Sequence, residues 1–168
     1  IIEEPLSNNY FILINSKTKP LIETIYSRSL EIKIFLSNNI RVKIIESLIK
    51  INNLEVLIDY NSSSITPGNF ISFNKIFEEN EINFNDDFQK NLVKLLNLYK
   101  KNKNKNFINI ILFITENYFY NLRIKKNYNI GKIIENKSFV IKNINNFIKN
   151  NLNQNSVINA INNKLLNE

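Results

Sequence analysis

Residues 27 and 28 form a Ser-Arg pair, and Arg28 is one of only three arginines, with Arg41 and Arg123, among 22 basic residues. A guanidinium is a planar fork that holds a phosphate at two points, which a lysine ammonium cannot do. Two further polar runs stand out: Asn15-Ser16, behind an apolar stretch, and Thr66-Pro67-Gly68-Asn69. The remaining chemistry is limited by what the chain lacks. It has no His and no Cys. Hydrolytic triads and zinc sites built on His are excluded, as are disulfides and thiolate metal sites. No acids are spaced around a glycine as a calcium loop requires, and no Gly-rich phosphate loop of the G-x-x-x-x-G-K-[ST] type occurs. Gly68 and Gly131 are the only glycines.

The elements that would position these residues follow from apolar spacing. Residues 1–5 read as the tail of a helix, ended by Pro5 and the turn-forming Leu6-Ser7-Asn8-Asn9. The continuous apolar run 10–14 predicts a strand buried on both faces. Residues 19–26, with Pro20 at an early position, predict a short helix. Residues 30–35 alternate apolar and charged, the period of a strand with one wet face.

From residue 37 the period becomes helical. Ser37 or Asn38 can cap a helix with the stripe Val42, Ile45, Leu48 and Ile49. Residues 54–60 read as a short helix and 61–65 as a polar loop. Thr66 caps a helix with Pro67 at its first position and Phe70, Phe73, Ile76 and Phe77 on one face. Later helices are expected over 86–99 with Asn85 as cap, over 107–125, and over 131–152 with Ile134, Phe139, Ile141, Ile144, Phe147 and Ile148 at broadly helical spacing. A last helix is expected from an Asn155 cap. The expected organisation is 1–36 as the end of an α/β domain, 37–80 as a small helical lid and 81–168 as a helical domain, mostly α overall.

The run IIEEPLSNNYFILINSKTKPLIETIYSRSLEI resembles the Leu-Glu-Glu-Pro-Pro, Phe-Ile-Leu, Thr-Ile-x-Ser-Arg-Cys stretch of bacterial clamp-loader subunits. The likeness is greatest to the delta-prime family of DNA polymerase III. The resemblance implies the end of an AAA+ α/β domain, a lid and a collar that holds five subunits in a ring. It implies a structural stator in DNA replication, with gamma/tau and delta subunits as partners and a sliding clamp and primed DNA reached through the complex. It implies that Arg28, preceded by Ser27, is an arginine finger for ATP and Mg²⁺ held by a neighbour, with no cofactor bound by this chain. Such fingers are worth roughly 10³ to 10⁵ in rate.

Asn15 and Ser16 fall at the family's sensor-1 position, and Thr66-Pro67-Gly68-Asn69 resembles the turn opening its sensor-2 helix. An active ATPase would place Arg there, so Gly68 and Asn69 favour a subunit without its own hydrolysis. Ser29 stands where the family has Cys. Glu3 and Glu4 receive no catalytic role.

The net charge of +7 reads in two ways: attraction to nucleic acid, or the Lys, Asn and Ile bias of AT-rich codons. The lysines of residues 100–105 read as a phosphate contact or, in preference, as a solvated interhelix loop. The aromatics of 107–120 could stack bases but are expected in the core. No apolar run reaches the ~18 residues of a membrane span, so a soluble, cytoplasmic protein is expected. The chain opens at Ile1 and has no Met, which suggests a C-terminal fragment. Two other functions remain open: a gamma/tau-like ATPase subunit, and a basic helical nucleic-acid-binding or scaffold protein.

Overall fold

The computed structural model describes residues 10–15, 20–124 and 129–166, and every regular element among them is a helix. The helices are α1 (Glu23–Tyr26), α2 (Asn38–Asn52), α3 (Pro67–Glu79), α4 (Phe88–Asn102), α5 (Lys105–Ile124), α6 (Ile130–Asn150) and α7 (Gln154–Leu166). The chain divides into two compact units between Ser37 and Asn38.

In the first unit the expected α/β start is overturned. Residues 10–15 and 30–36 form no strand. The apolar side chains that were to fill a sheet are exposed, Ile12 at 91%, Ile14 at 96% and Ile34 at 90%. The physical reason is non-local. Alternating apolar residues suit a pleat, but a strand exists only when a neighbour completes its hydrogen-bond ladder. No described segment provides one. The helix expected over 19–26 shrinks to the single turn of α1, which has no side-chain cap at Ile22 and no buried residue. The helix tail at 1–5, and Ser16, lie outside the described residues.

The second unit is built by α2 to α7. Five residues or fewer separate each of α4 to α7 from the next, which makes these four helices antiparallel neighbours. α4 packs on α5, α5 on α6 and α6 on α7, and α7 returns to α4, closing a four-helix bundle. α2 and α3 pair with each other, and α3 docks on α5. Leu92, Leu95 and Leu96 of α4, Ile110 and Ile111 of α5, Val140 and Ile144 of α6 and Ile161 of α7 are completely buried. Each such side chain contributes about 1.5–3 kcal/mol. A line of rings joins the two helix groups: Phe73 to Phe113 at 5.6 Å, then Phe113 to Phe84 at 5.8 Å. Phe88 stacks on Tyr118 at 4.4 Å. Phe107 and Phe119 are buried too, so this aromatic stretch is largely core, with Tyr120 left 53% exposed.

Asparagine lowers helix propensity in mid-helix, but here it closes helix ends. The side chains of Asn104, Asn129 and Asn153 accept the first free N–H groups of α5, α6 and α7, at 2.9, 2.8 and 2.9 Å. Asn53 and Asn151 take left-handed conformations just past α2 and α6, with φ of 48° each, which Asn tolerates better than most residues. Leu54 N–H then bonds Ile49 O at 3.1 Å, and Ile82 N–H bonds Phe77 O at 2.9 Å, so two orphan carbonyls are satisfied.

Three sequence expectations are corrected here. Residues 54–60 are not helical; side-chain bonds from α2 and α3 fix this stretch instead. The cap of α4 is Asp87, whose carboxylate accepts from Gln89 N–H at 3.0 Å and Lys90 N–H at 3.4 Å, and not Asn85. The cap of α7 is Asn153 and not Asn155. On α6, Ile134 is 60% exposed while Ile133, Asn136 and Val140 turn inward.

Candidate functional site

Ser27 and Arg28 share the turn that ends α1. Ser27 keeps helical angles (φ −68°, ψ −19°) and its N–H bonds Glu23 O at 2.9 Å. Its hydroxyl donates to Thr24 O at 3.3 Å. Arg28 N–H bonds Ile25 O at 3.3 Å. Ser29 Oγ donates to Tyr26 O at 3.5 Å, and Tyr26 OH to Glu31 Oε2 at 3.5 Å. Both serine hydroxyls therefore bond their own turn and position it. Ser29, which stands where the resembled family has Cys, is exposed, so no desolvation cost falls on its hydroxyl. Arg28 is exposed as well.

The other candidates are placed separately. Asn15 is exposed and outside any regular element. Its partner in the sequence motif, Ser16, is not described. Thr66 caps α3, accepting from Asn69 N–H at 3.3 Å, with Pro67 at the first helical position. A Cβ on Gly68 would meet nothing within 4 Å. A larger residue would fit there, so packing does not require this glycine.

Among the described residues no group of three His, Cys, Asp or Glu could hold a metal ion. No described helix is long and apolar enough to cross a membrane. An open cleft of 380 Å³ between residues 55–57 and 77–85 is lined by Glu55, Glu78 and Glu81 without any lysine or arginine. A lining of that charge repels phosphate, so this cleft does not suit a nucleotide.

Sequence reasoning gave Arg41 no role, yet it is the buried arginine, 7% exposed. Its Nε and Nη2 donate to Asn38 Oδ1 at 3.0 and 2.6 Å. Its Nη1 donates to Tyr60 O at 2.9 Å and Ile65 O at 3.0 Å. Asn74, fully buried, accepts from Leu57 N–H at 2.9 Å and donates to Glu55 O. These two side chains tie the 54–65 connection to α2 and α3. The only advance signal was the scarcity of arginine, since a buried Asn looks no different in sequence from an exposed one.

No family model matches the chain, and no match is found among curated proteins or solved structures.

Proposed function

We propose that the chain serves as a delta-prime-like subunit of a bacterial clamp loader, a non-hydrolysing stator in DNA replication. In this role the α2–α7 unit supplies lid and collar contacts to gamma/tau and delta partners. Arg28 is offered to the γ-phosphate of ATP and Mg²⁺ bound by an adjoining subunit, where its charge offsets the negative charge that develops as the phosphoryl group transfers. The observation that supports the role is the exposed turn at Arg28, fixed by its own hydrogen bonds and lying within the clamp-loader-like run. The proposal does not use the mixed sheet, which the described residues do not form.

The test is reconstitution. The chain is mixed with gamma/tau-like and delta-like subunits, and the assembly mass and DNA-stimulated ATPase are measured. A five-subunit complex that hydrolyses ATP only when this chain is present is the expected result. A chain that stays monomeric and leaves the ATPase unchanged contradicts the role.

A further inference from the structure

The two ends of the bundle differ in charge: one mixes acids with bases, and the other holds bases without acids. Glu78, Glu79, Glu81, Asp86 and Asp87 cluster in sequence around the start of α4. Past that point the sequence holds no carboxylate from residue 88 to 115, and none from 136 to 167. Those two segments supply the opposite end of the bundle, where α4 and α6 stop and α5 and α7 begin. The ends are tied together there. The Tyr99 ring meets the Phe147 ring edge-on at 6.2 Å, and Gln154 Nε2 donates to Asn97 Oδ1 at 2.8 Å. This acid-free end carries Lys100, Lys101, Lys103, Lys105 and Lys149, all exposed.

α4 spans 15 residues, a length of about 22 Å at ~1.5 Å per residue. That exceeds two Debye lengths of about 8 Å at physiological salt, so the carboxylates around the start of α4 do not screen the lysines.

We propose that this end of the bundle binds the phosphate backbone of nucleic acid, by charge and without reading bases. Lysines are compact point charges that suit phosphate oxygens. The aromatics at this end do not offer a stacking face: Phe107 and Phe147 are buried, and Tyr99 is half-buried with Lys103 Nζ 5.4 Å from its ring centre. A lipid surface fits less well. Leu152, 41% exposed, is the only large apolar side chain at this end among those exposed in the described residues, and interfacial binding needs a broad apolar face. This site is independent of the role given to Arg28.

The experiment measures binding of the full chain to a fluorescent duplex by anisotropy, from ~50 to ~200 mM salt. Five lysines should give a slope of log K against log salt of about −4.5. The variant K100Q/K101Q/K103Q/K105Q should weaken binding about tenfold or more and flatten the slope. The variant K33Q/K43Q/K50Q/K132Q removes the same charge elsewhere and should change binding much less. K149Q alone, on a different helix, should reduce the slope by about one. Equal losses in the two quadruple variants, an unchanged slope in K149Q, or binding to phosphatidylserine vesicles without binding to duplex would each overturn the proposal.

Discussion

The guanidinium of Arg41, on α2, donates to the carbonyl of Ile65, twenty-four residues further on, at 3.0 Å in a buried setting. The same Nη1 reaches Tyr60 O at 2.9 Å. A connection without helix or strand is thus held by one side chain that satisfies two backbone acceptors. Arg41→Ala should destabilise the protein by about 3 kcal/mol, because both carbonyls lose a charged donor. Arg41→Lys should recover only part of this, since an ammonium does not reproduce the fork. Urea unfolding followed by circular dichroism measures both. An Arg41→Ala midpoint equal to the parent's would show that the bonds add nothing.

Glu81 and Lys103 follow α3 and α4 in left-handed conformations, each with φ of 51°. A side chain at this φ costs about 1 kcal/mol that glycine avoids. Glu81→Gly and Lys103→Gly should each raise stability by about that amount, despite the greater freedom of glycine in the unfolded chain. Thermal melts compare the variants, and a lower Tm in both would refute the assignment.

Asp87 caps α4 through two N–H groups, and Gly68 occupies the first turn of α3 with open space around its missing Cβ. The two positions should therefore respond in opposite directions. Asp87→Ala should cost about 1 kcal/mol, while Gly68→Ala should gain about 0.5 kcal/mol. Chemical denaturation of both variants checks the signs together.

Acid should weaken the α6–α7 contact. The Glu135 carboxyl is held below its ordinary value first by the hydrogen bond from Lys164, at 2.6 Å, and then by the Lys164 charge. Asp59 is lowered in the same direction, first by the Ser62 hydroxyl. A carboxyl lowered by folding contributes stability that is fully present above its unfolded pKa. The contribution is lost as pH falls through the folded value. Unfolding measured across the acid range should show this loss, and Glu135→Gln should remove its share. A variant whose stability declines with acid as steeply as the parent's would contradict the assignment.

The helices beyond residue 66 were legible because apolar residues recur there at helical spacing and Thr66-Pro67 marks a start without ambiguity. Cap positions were less so. Asn83, Asn85 and Asp87 all have side chains able to cap, and only the path of the chain selects Asp87. The strands expected over 10–14 and 30–35 failed because alternation is local while pairing is not. Residues 54–60 looked helical from their apolar content, but Asn74 and Arg41 hold them in an irregular path from distant positions. At the candidate site, a short helix ending at Ser27-Arg28 was readable from sequence. The hydroxyl-to-carbonyl bonds that shape its turn were not.

The most direct measurement is DNA-stimulated ATP hydrolysis by the reconstituted complex carrying Arg28→Ala or Arg28→Lys. The assembly should form with both variants, while kcat falls by roughly 10³ or more with Arg28→Ala. Arg28→Lys should restore little of that rate, because an ammonium lacks the planar fork. An assembled Arg28→Ala complex that hydrolyses ATP at the parent rate would contradict the role given to this arginine.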